Sequence, residues 1–206
     1  MPRPLVDALL SLLSPPRCSA CDRRLGRDAV FCASCLSTLE RPAALPAAIT
    51  ASFAFGGALA EVIRRWKYGL RGDLARPLRR LVVEGLPDPR AIDLVAPVPL
   101  HVARLRTRGF DQAALLAAAV ARALDRPLAR SLVTRVIETP QLVGLDLAAR
   151  SAAVRGAFVA GRCRGLRVLI VDDVRTTGAT LDSAITALLD AGASPRAHVL
   201  AATPRG

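Results

Sequence analysis

The sequence predicts an α/β fold with a mainly parallel sheet flanked by helices, preceded by a small cysteine-rich element. Two observations support this prediction: helix-like and strand-like segments alternate along most of the chain, and four of the five cysteines lie close together near the start. The 206 residues suffice for one ordinary domain and a small appendage. We therefore do not expect a large multidomain enzyme. With 52% hydrophobic residues the chain can bury a core, and we do not expect an intrinsically disordered protein either.

The cysteines of the N-terminal element form two CxxC pairs separated by ten residues, Cys18 with Cys21 and Cys32 with Cys35. Each pair makes a tight knuckle that presents two thiolates to one ion, and four such ligands suit tetrahedral Zn²⁺. A complete set of four protein ligands predicts a structural zinc ribbon rather than a catalytic metal. The alternative is a pair of disulfides, which a reducing cytosol disfavours. Cys163 is isolated, and we expect it to be a packing residue.

The remaining elements follow from the apolar periodicity. A proline-containing stretch without periodicity, Arg41–Pro46, predicts a connection. We therefore expect an N-terminal helix and zinc ribbon over residues 1–45 and a main domain over 46–206. We expect the N-cap of one helix at Asp111 and the end of the last helix at Gly192. The predicted helices are Ala58–Tyr68, Asp73–Glu84, Gln112–Leu124 and Leu181–Ala191, and the predicted strands are Asp93–Val98, Leu132–Ile137, Arg167–Val171 and Ala197–Ala202.

The charge balance predicts anionic partners. Lys and Arg number 29 against 17 Asp and Glu, a formal net charge of +12, which attracts phosphates, nucleic acid or anionic lipid. Part of this excess reflects coding bias, because Lys67 is the only lysine. No apolar run is long enough to span a bilayer, and no secretory signal stands out. We expect a cytoplasmic protein, with a peripheral contact at the inner face of the membrane left open.

The segment that carries the chemistry begins in the aliphatic run Val168–Val171, which is typical of a buried parallel strand. Two carboxylates, Asp172 and Asp173, come next, at the edge where open α/β sheets bind ligands. Such acids can accept hydrogen bonds from sugar hydroxyls and help to hold hydrated Mg²⁺. The following loop, Arg175–Thr180, leads into a helix whose N-terminal amides favour a phosphate. The hydroxyl groups of this loop are those of Thr176, Thr177 and Thr180, and Gly178 and Ala179 lie between Thr177 and Thr180.

Three other interpretations of this segment differ in the residues that they require. A P-loop nucleotidase requires Gly-Lys-Ser/Thr in its phosphate loop, and Lys67 lies elsewhere. A response-regulator receiver needs most of a domain after its aspartate pair, and little follows Asp173. A plain surface turn with a helix cap stays open as the simplest alternative.

The stretch Val168–Leu181 resembles the phosphoribosyl diphosphate signature of type I phosphoribosyltransferases. More narrowly, the chain resembles the ComF family of bacterial competence-associated proteins, in which a four-cysteine zinc element precedes such a domain. The further matching stretches are Cys18–Cys35, Arg65–Gly69, Ala96–His101, Arg104–Gln112 and Thr139–Gln141 with Arg150. The family usually has asparagine where this chain has Asp111.

The resemblance implies a role for most of these residues. Asp172 and Asp173 would contact the ribose hydroxyls, and the loop Arg175–Thr180 would cradle the 5′-phosphate. The turn formed by Pro97, Val98 and Pro99 would lie where the family binds diphosphate. Near it, Arg104, Arg106 and Arg108 would contact an anion, although a solvated basic face is the alternative for these arginines.

Two functions of different classes follow from these features. The first is a ComF-like protein that binds phosphoribosyl diphosphate with Mg²⁺ and handles single-stranded DNA, together with DNA-uptake proteins. The second is an active Mg²⁺-dependent phosphoribosyltransferase with an unknown acceptor. No residue of the sequence stands out as a general base, and His101 and His198 have weak claims.

Overall fold

The computed structural model describes residues 16–26, 29–69, 71–100, 105–106, 109–137 and 156–203. Its helices are α1 (Ala33–Leu36), α2 (Gly57–Tyr68), α3 (Ala75–Leu81), α4 (Gln112–Leu124) and α5 (Ala179–Asp190). Its strands are β1 (Ile49–Ala54), β2 (Leu94–Pro97), β3 (Val133–Arg135), β4 (Phe158–Ala160), β5 (Arg167–Arg175) and β6 (Ser194–Ala202), and short 3₁₀ turns cover Gly72–Leu74 and Pro89–Ala91. No helix within these ranges has both the length and the apolar character that crossing a bilayer requires.

The central sheet has four strands in the order β1-β6-β5-β2, and every neighbouring pair is parallel. The predicted mainly parallel sheet is therefore confirmed. All four strands end at one edge of the sheet. Residues that follow them, such as Phe55 after β1, Thr176 after β5 and Val98 after β2, therefore lie at a common edge where ligands of open α/β sheets bind.

A hydrophobic core covers each face of the sheet. On one face, α2, α3 and α4 pack through Leu59, Leu78 and Leu116 against Leu169 of β5, and all four side chains are fully buried. On the other face, α5 packs with β3 and β4, which pair antiparallel and form a separate small sheet. Parallel strands buried on both faces are rich in aliphatic residues, and β5 accordingly begins with a buried aliphatic run.

Several predicted elements differ from the structure at their ends. The strand predicted to stop at Val171 continues to Arg175, because Asp172 pairs with Val199 of β6 and Arg175 pairs with Ala202. The acidic pair therefore lies within β5 rather than after it. The strand predicted over Leu132–Ile137 is shorter and belongs to the small antiparallel sheet.

Candidate functional site

The acidic pair of β5 is approached by a lysine from a distant helix. Lys67 lies near the C-terminal end of α2, and its Nζ atom is 2.9 Å from both Oδ1 and Oδ2 of Asp173. The preceding residue, Trp66, is fully buried and stacks on Phe110 with 5.6 Å between ring centroids. This packing fixes the end of α2 over the sheet edge, so the lysine is held in place by the core.

The charges at this edge influence one another strongly. Burial raises the pKa of Asp172 to about 7, and repulsion from Asp173 adds to that rise. Burial by itself lowers the pKa of Lys67, but the attraction and hydrogen bond of Asp173 outweigh it and the pKa is raised. Lys67 is therefore a cation, and its charge compensates the negative charge of Asp173 at this edge of the sheet.

The loop after β5 is built around Arg175, whose side chain is turned inward. Arg175 is 1% exposed, and within the described part of the chain Nε, Nη1 and Nη2 have no hydrogen-bond partner. Gly178 lies directly over this guanidinium: a Cβ there would be 2.8 Å from Nη2. Its φ of +90° is a second reason for glycine at this position. A buried positive charge thus lies immediately beneath the loop.

Gly178 is also the N-cap of α5, and no side-chain hydrogen bond caps this end of the helix. The first amides of a helix have no partner within the helix, and the helix dipole favours an anion there. Thr176 is exposed, Thr177 and Thr180 are partly buried, and Ala179 is buried as the first residue of the helix. Free amides and hydroxyls therefore surround one end of the loop, with the Arg175 charge behind them.

The turn after β2 lies beside the acidic pair. Pro97 ends β2, and the Val98 amide donates a 2.8 Å hydrogen bond to the carbonyl of Val171 in β5. Pro99 follows at the same edge of the sheet and is partly buried. Two arginines assigned to this region from the sequence, Arg104 and Arg108, lie outside the described residues.

Asp111 has a local structural role at the other side of this region. As predicted, it is the N-cap of α4, and its Oδ1 accepts a 3.0 Å hydrogen bond from the Ala114 amide. Burial raises the pKa of Asp111, and repulsion from Asp173 contributes. The aspartate thus adds a third acidic group near the pair.

A cavity of about 500 Å³ opens between α2 and the end of β5. Its lining includes Phe55, Glu61, Arg64, Lys67, Tyr68 and Thr176. Lys67 and Thr176 belong to both the cavity and the edge described above. This cavity could not be predicted from the sequence, because its walls come from segments that are more than a hundred residues apart in the chain.

The four cysteines of the N-terminal element form a cluster that could hold a zinc ion. Their sulfur atoms all lie within 4.8 Å of one another. The Sγ atoms of Cys21 and Cys32 are 3.7 Å apart, close to the edge of about 3.8 Å expected for a tetrahedron with Zn–S bonds of 2.3 Å. A disulfide would bring them to about 2.05 Å, so the geometry favours metal ligation by Cys18, Cys21, Cys32 and Cys35.

This element packs directly on α2. Cys18 and Cys32 are buried in the core that contains Trp66. Arg65 donates hydrogen bonds to the carbonyls of Ser19 (3.1 Å) and Ala20 (2.9 Å) and forms an ion pair with Asp22. The cysteine cluster therefore supports the helix that carries Lys67.

Comparison with known proteins agrees with this geometry. Residues 111–206 match the model of the family described as phosphoribosyl transferase domain, so the fold and site define a protein with a phosphoribosyltransferase-type domain. Competence protein F of Haemophilus influenzae is 30% identical over 177 residues, which cover 81% of this chain and 76% of that protein. DNA utilization protein YhgH of Escherichia coli (strain K12) is 29% identical over 195 residues, covering 86% of each chain. The chain belongs to the ComF family.

Among solved structures, the glutamine phosphoribosylpyrophosphate amidotransferase from B. subtilis has a TM-score of 0.41 and 23% sequence identity with this chain. The match covers 66% of this chain and 29% of that chain.

The site contains two features that the sequence did not assign. Lys67 was noted as the only lysine and as part of a matching stretch, without a role at the acidic pair. Arg175 was predicted to bind ligand as part of the loop Arg175–Thr180, and the inward orientation of its almost fully buried side chain beneath that loop was not foreseen. The aliphatic residues before Asp172 indicate a strand that is buried on both faces. Burial of that strand extends to Arg175, so the buried position of Arg175 could have been inferred from them.

Proposed function

We propose that this chain binds phosphoribosyl diphosphate at the carboxyl edge of its sheet and handles single-stranded DNA in DNA uptake. The observation that carries the first part is the buried Arg175 guanidinium under the loop that caps α5. An unpaired buried charge is costly, and an anion at the loop would compensate it. The uncapped amides of α5 favour the same ligand.

In this proposal each group at the edge has a defined partner. The amides and hydroxyls of Thr176–Thr180 bind the 5′-phosphate, with the Arg175 charge behind them. Asp172 and Asp173 accept hydrogen bonds from the ribose hydroxyls. Lys67 holds Asp173 in one orientation, since its ammonium lies within 2.9 Å of both carboxylate oxygens.

The diphosphate would occupy the turn Pro97–Pro99, with Arg104 and Arg108 contributing positive charge. Oxygen donors from Asp172 and Asp173, combined with diphosphate oxygens, are the ligand type that Mg²⁺ prefers. Bound there, Mg²⁺ would neutralise part of the diphosphate charge.

The DNA part of the proposal is supported by charge and by relatives. The formal net charge is +12, and exposed arginines attract the phosphates of nucleic acid. Two relatives are named Competence protein F and DNA utilization protein YhgH. We propose a role in DNA uptake and a cytoplasmic location for this chain as well.

Calorimetry with phosphoribosyl diphosphate and Mg²⁺ tests the ligand site. We expect saturable binding to the native chain and at least a tenfold loss of affinity in the double variant Asp172→Asn/Asp173→Asn. Glu84→Gln, which removes an exposed carboxylate in the segment that follows α3, is the matched control and should bind as the native chain does. Absence of binding to the folded native chain would overturn the proposed ligand.

Anisotropy of a fluorescent dT oligonucleotide tests the DNA part. The affinity should fall steeply as salt rises, because binding releases counterions from the phosphates. An affinity that does not change with salt, or no binding at low salt, would contradict it.

The alternative function is transfer of the phosphoribosyl group to an acceptor. The cavity beside Lys67 and Thr176 favours it, since an acceptor there would border the ribose site. Release of pyrophosphate from phosphoribosyl diphosphate, stimulated by one member of an acceptor panel and absent in Asp172→Asn/Asp173→Asn, would establish turnover. Tight binding without stimulated release would leave binding as the function.

A further inference from the structure

The C-terminal part of α2 is attached to the first CxxC pair of the cysteine element. Arg65 donates hydrogen bonds to the carbonyls of Ser19 (3.1 Å) and Ala20 (2.9 Å), the two residues between the cysteines of that pair. Its guanidinium also forms an ion pair with Asp22, the residue directly after the pair. The Arg65 side chain is only 21% exposed, so these charge-assisted contacts are partly shielded from water. One guanidinium therefore joins the first CxxC pair to α2.

The N-terminal end of α2 is attached to the second CxxC pair. Thr38 lies three residues after Cys35, and its Oγ1 donates a 2.8 Å hydrogen bond to the Cys35 carbonyl. The same hydroxyl accepts a 2.9 Å hydrogen bond from the Ala58 amide in the first turn of α2, where amides have no partner within the helix. Gly57 approaches Thr38 closely, since a Cβ there would be 2.6 Å from Oγ1. Thr38 therefore joins the second CxxC pair to the start of α2.

A metal bound by the cysteines would connect these two attachments. The four sulfur atoms lie within 4.8 Å of one another, and each CxxC pair supplies two of them. Ligation of one zinc ion by all four thiolates would fix the two pairs relative to each other. Elements of this kind commonly depend on their metal for their fold. Both ends of α2 would then be held through the same metal site.

The position of α2 determines where Lys67 lies at the sheet edge. Lys67 follows Arg65 by two positions, and Trp66 between them is fully buried and stacks on Phe110. The Lys67 Nζ atom is 2.9 Å from both carboxylate oxygens of Asp173. A hydrogen-bonded helix transmits a displacement over so short a span as a rigid element. A change in the support of Arg65 therefore reaches the ion pair at the acidic edge.

We propose that zinc binding by the four cysteines regulates the ligand site by fixing Lys67 against Asp173, and that Arg65 is the positioning residue between the two sites. When the first CxxC pair loses its metal, Arg65 loses its fixed partners, Lys67 is no longer held, and the site binds its ligand more weakly. The inference rests on the proposed function for the identity of that ligand. Coupling of this kind is reciprocal, so the bound ligand also retains the zinc.

Calorimetry with phosphoribosyl diphosphate and Mg²⁺ measures the coupling in one direction. The full chain is compared in its zinc-loaded form and after treatment with a zinc-selective chelator, with circular dichroism to verify the fold. We expect an affinity that is about tenfold or more weaker without zinc. Arg65→Met, with its zinc content verified by elemental analysis, should show a loss of the same order. Arg65→Lys keeps a cationic donor to the same carbonyls and should recover most of the affinity.

The rate of zinc release to a coloured chelator measures the coupling in the other direction and needs only the loaded chain. Saturating phosphoribosyl diphosphate with Mg²⁺ should slow the release from the native chain about tenfold or more. In Arg65→Met the ligand should change the rate by less than about twofold. Arg167→Met is the matched control, because Arg167 forms an ion pair with Asp93 at the start of β5, the opposite end of that strand from Asp173. It should slow as the native chain does.

Fluorescence of Trp66, the only tryptophan, reports on α2 without any ligand. Its ring is fully buried next to Arg65 in the sequence. In zinc-loaded Arg65→Met the emission should shift to longer wavelength, because the ring becomes more accessible to water. Arg167→Met should have the native spectrum.

The outcomes separate this inference from the proposed function. If the loaded native chain binds phosphoribosyl diphosphate, and Arg65→Met binds it equally well and keeps the native coupling to zinc release, the inference is wrong and the ligand site stands. If the loaded native chain does not bind phosphoribosyl diphosphate, the proposed ligand is wrong and the Trp66 spectra decide the inference. A native spectrum in Arg65→Met then overturns it, and a shifted spectrum supports it.

Discussion

Lys67 and Asp173, which are 106 positions apart in the sequence, form the ion pair that joins α2 to the end of β5. The Nζ atom is 2.9 Å from each carboxylate oxygen, and the side chains are 21% and 10% exposed. Two further acids, Asp172 and Asp111, lie close enough to influence the charge of this pair. The Lys67 ammonium therefore compensates the negative charge of the acidic residues that lie, largely buried, at the carboxyl edge of the sheet.

Removing this cation should destabilise the protein. In Lys67→Met the carboxylate of Asp173 stays buried without its partner, and we expect a loss of about 2 kcal/mol in the free energy of unfolding. Denaturant titration measures it. Adding Asp173→Asn to Lys67→Met should recover part of the loss, because the unpaired charge is then gone. A single variant as stable as the native chain would show that the pair contributes nothing.

Gly178 should not tolerate a side chain. Gly178→Ala places a Cβ 2.8 Å from the Arg175 guanidinium at a φ of +90°, so we expect a loss of about 2 kcal/mol or more in stability and at least tenfold in phosphoribosyl diphosphate affinity. Gly165→Ala is the matched control, since its φ is +78° but no atom lies within 4 Å. It should cost only about 1 kcal/mol and leave the affinity unchanged. Equal effects of the two variants would contradict a contact with Arg175.

The cysteine cluster predicts one zinc ion per chain. Elemental analysis of protein purified without chelator should find it, and Cys21→Ser should lower the zinc content. Because Cys18 and Cys32 are part of the core with α2, removal of the metal by a chelator should lower the melting temperature by about 10 °C or more. Cys163→Ser is the control and should keep the full zinc content. A native chain without zinc would overturn the prediction.

The sequence predicted the parts of the fold that depend on local patterns. The apolar spacing of α4 and the Asp111 cap were correct to the residue, because a long amphipathic helix and its cap are both encoded within a few turns. The zinc ligands were identified by their spacing, and their sulfur atoms do converge. The end of β5 was wrong, since the pairing of Arg175 with Ala202 that extends it is not visible locally.

Only the part of the candidate site that is continuous in the sequence could be predicted. The stretch from Asp172 to Thr180 carries its residue types in order, so an anion site could be inferred from it. The ion pair between Lys67 and Asp173 and the cavity both depend on the position of α2 at the sheet edge. The packing of Trp66 on Phe110 holds α2 in that position. Tertiary packing of this kind has no signature in the spacing of either segment.

His198 predicts how stability depends on pH. Its ring is fully buried in β6, where Nε2 lies 2.8 Å from the Val82 carbonyl and Nδ1 lies 2.8 Å from Thr50 Oγ1. A carbonyl only accepts, so Nε2 donates to Val82 and Nδ1 accepts from the threonine hydroxyl. Burial lowers the pKa of His198 from 6.5 to about 4, although the Val82 hydrogen bond opposes this. The folded protein therefore holds a neutral imidazole.

Because the unfolded chain binds a proton on His198 at a higher pH than the folded chain does, stability from this residue is present above about pH 6.5 and is lost as the pH falls towards 4. The loss should reach about 3 kcal/mol. Other groups titrate in the same window, so the measurement is the difference in unfolding free energy between the native chain and His198→Gln, which cannot titrate at this position. The native chain should lose stability relative to the variant as the pH falls from 7 to 4.5. A difference that is constant over this range would show that His198 is protonated equally in both states.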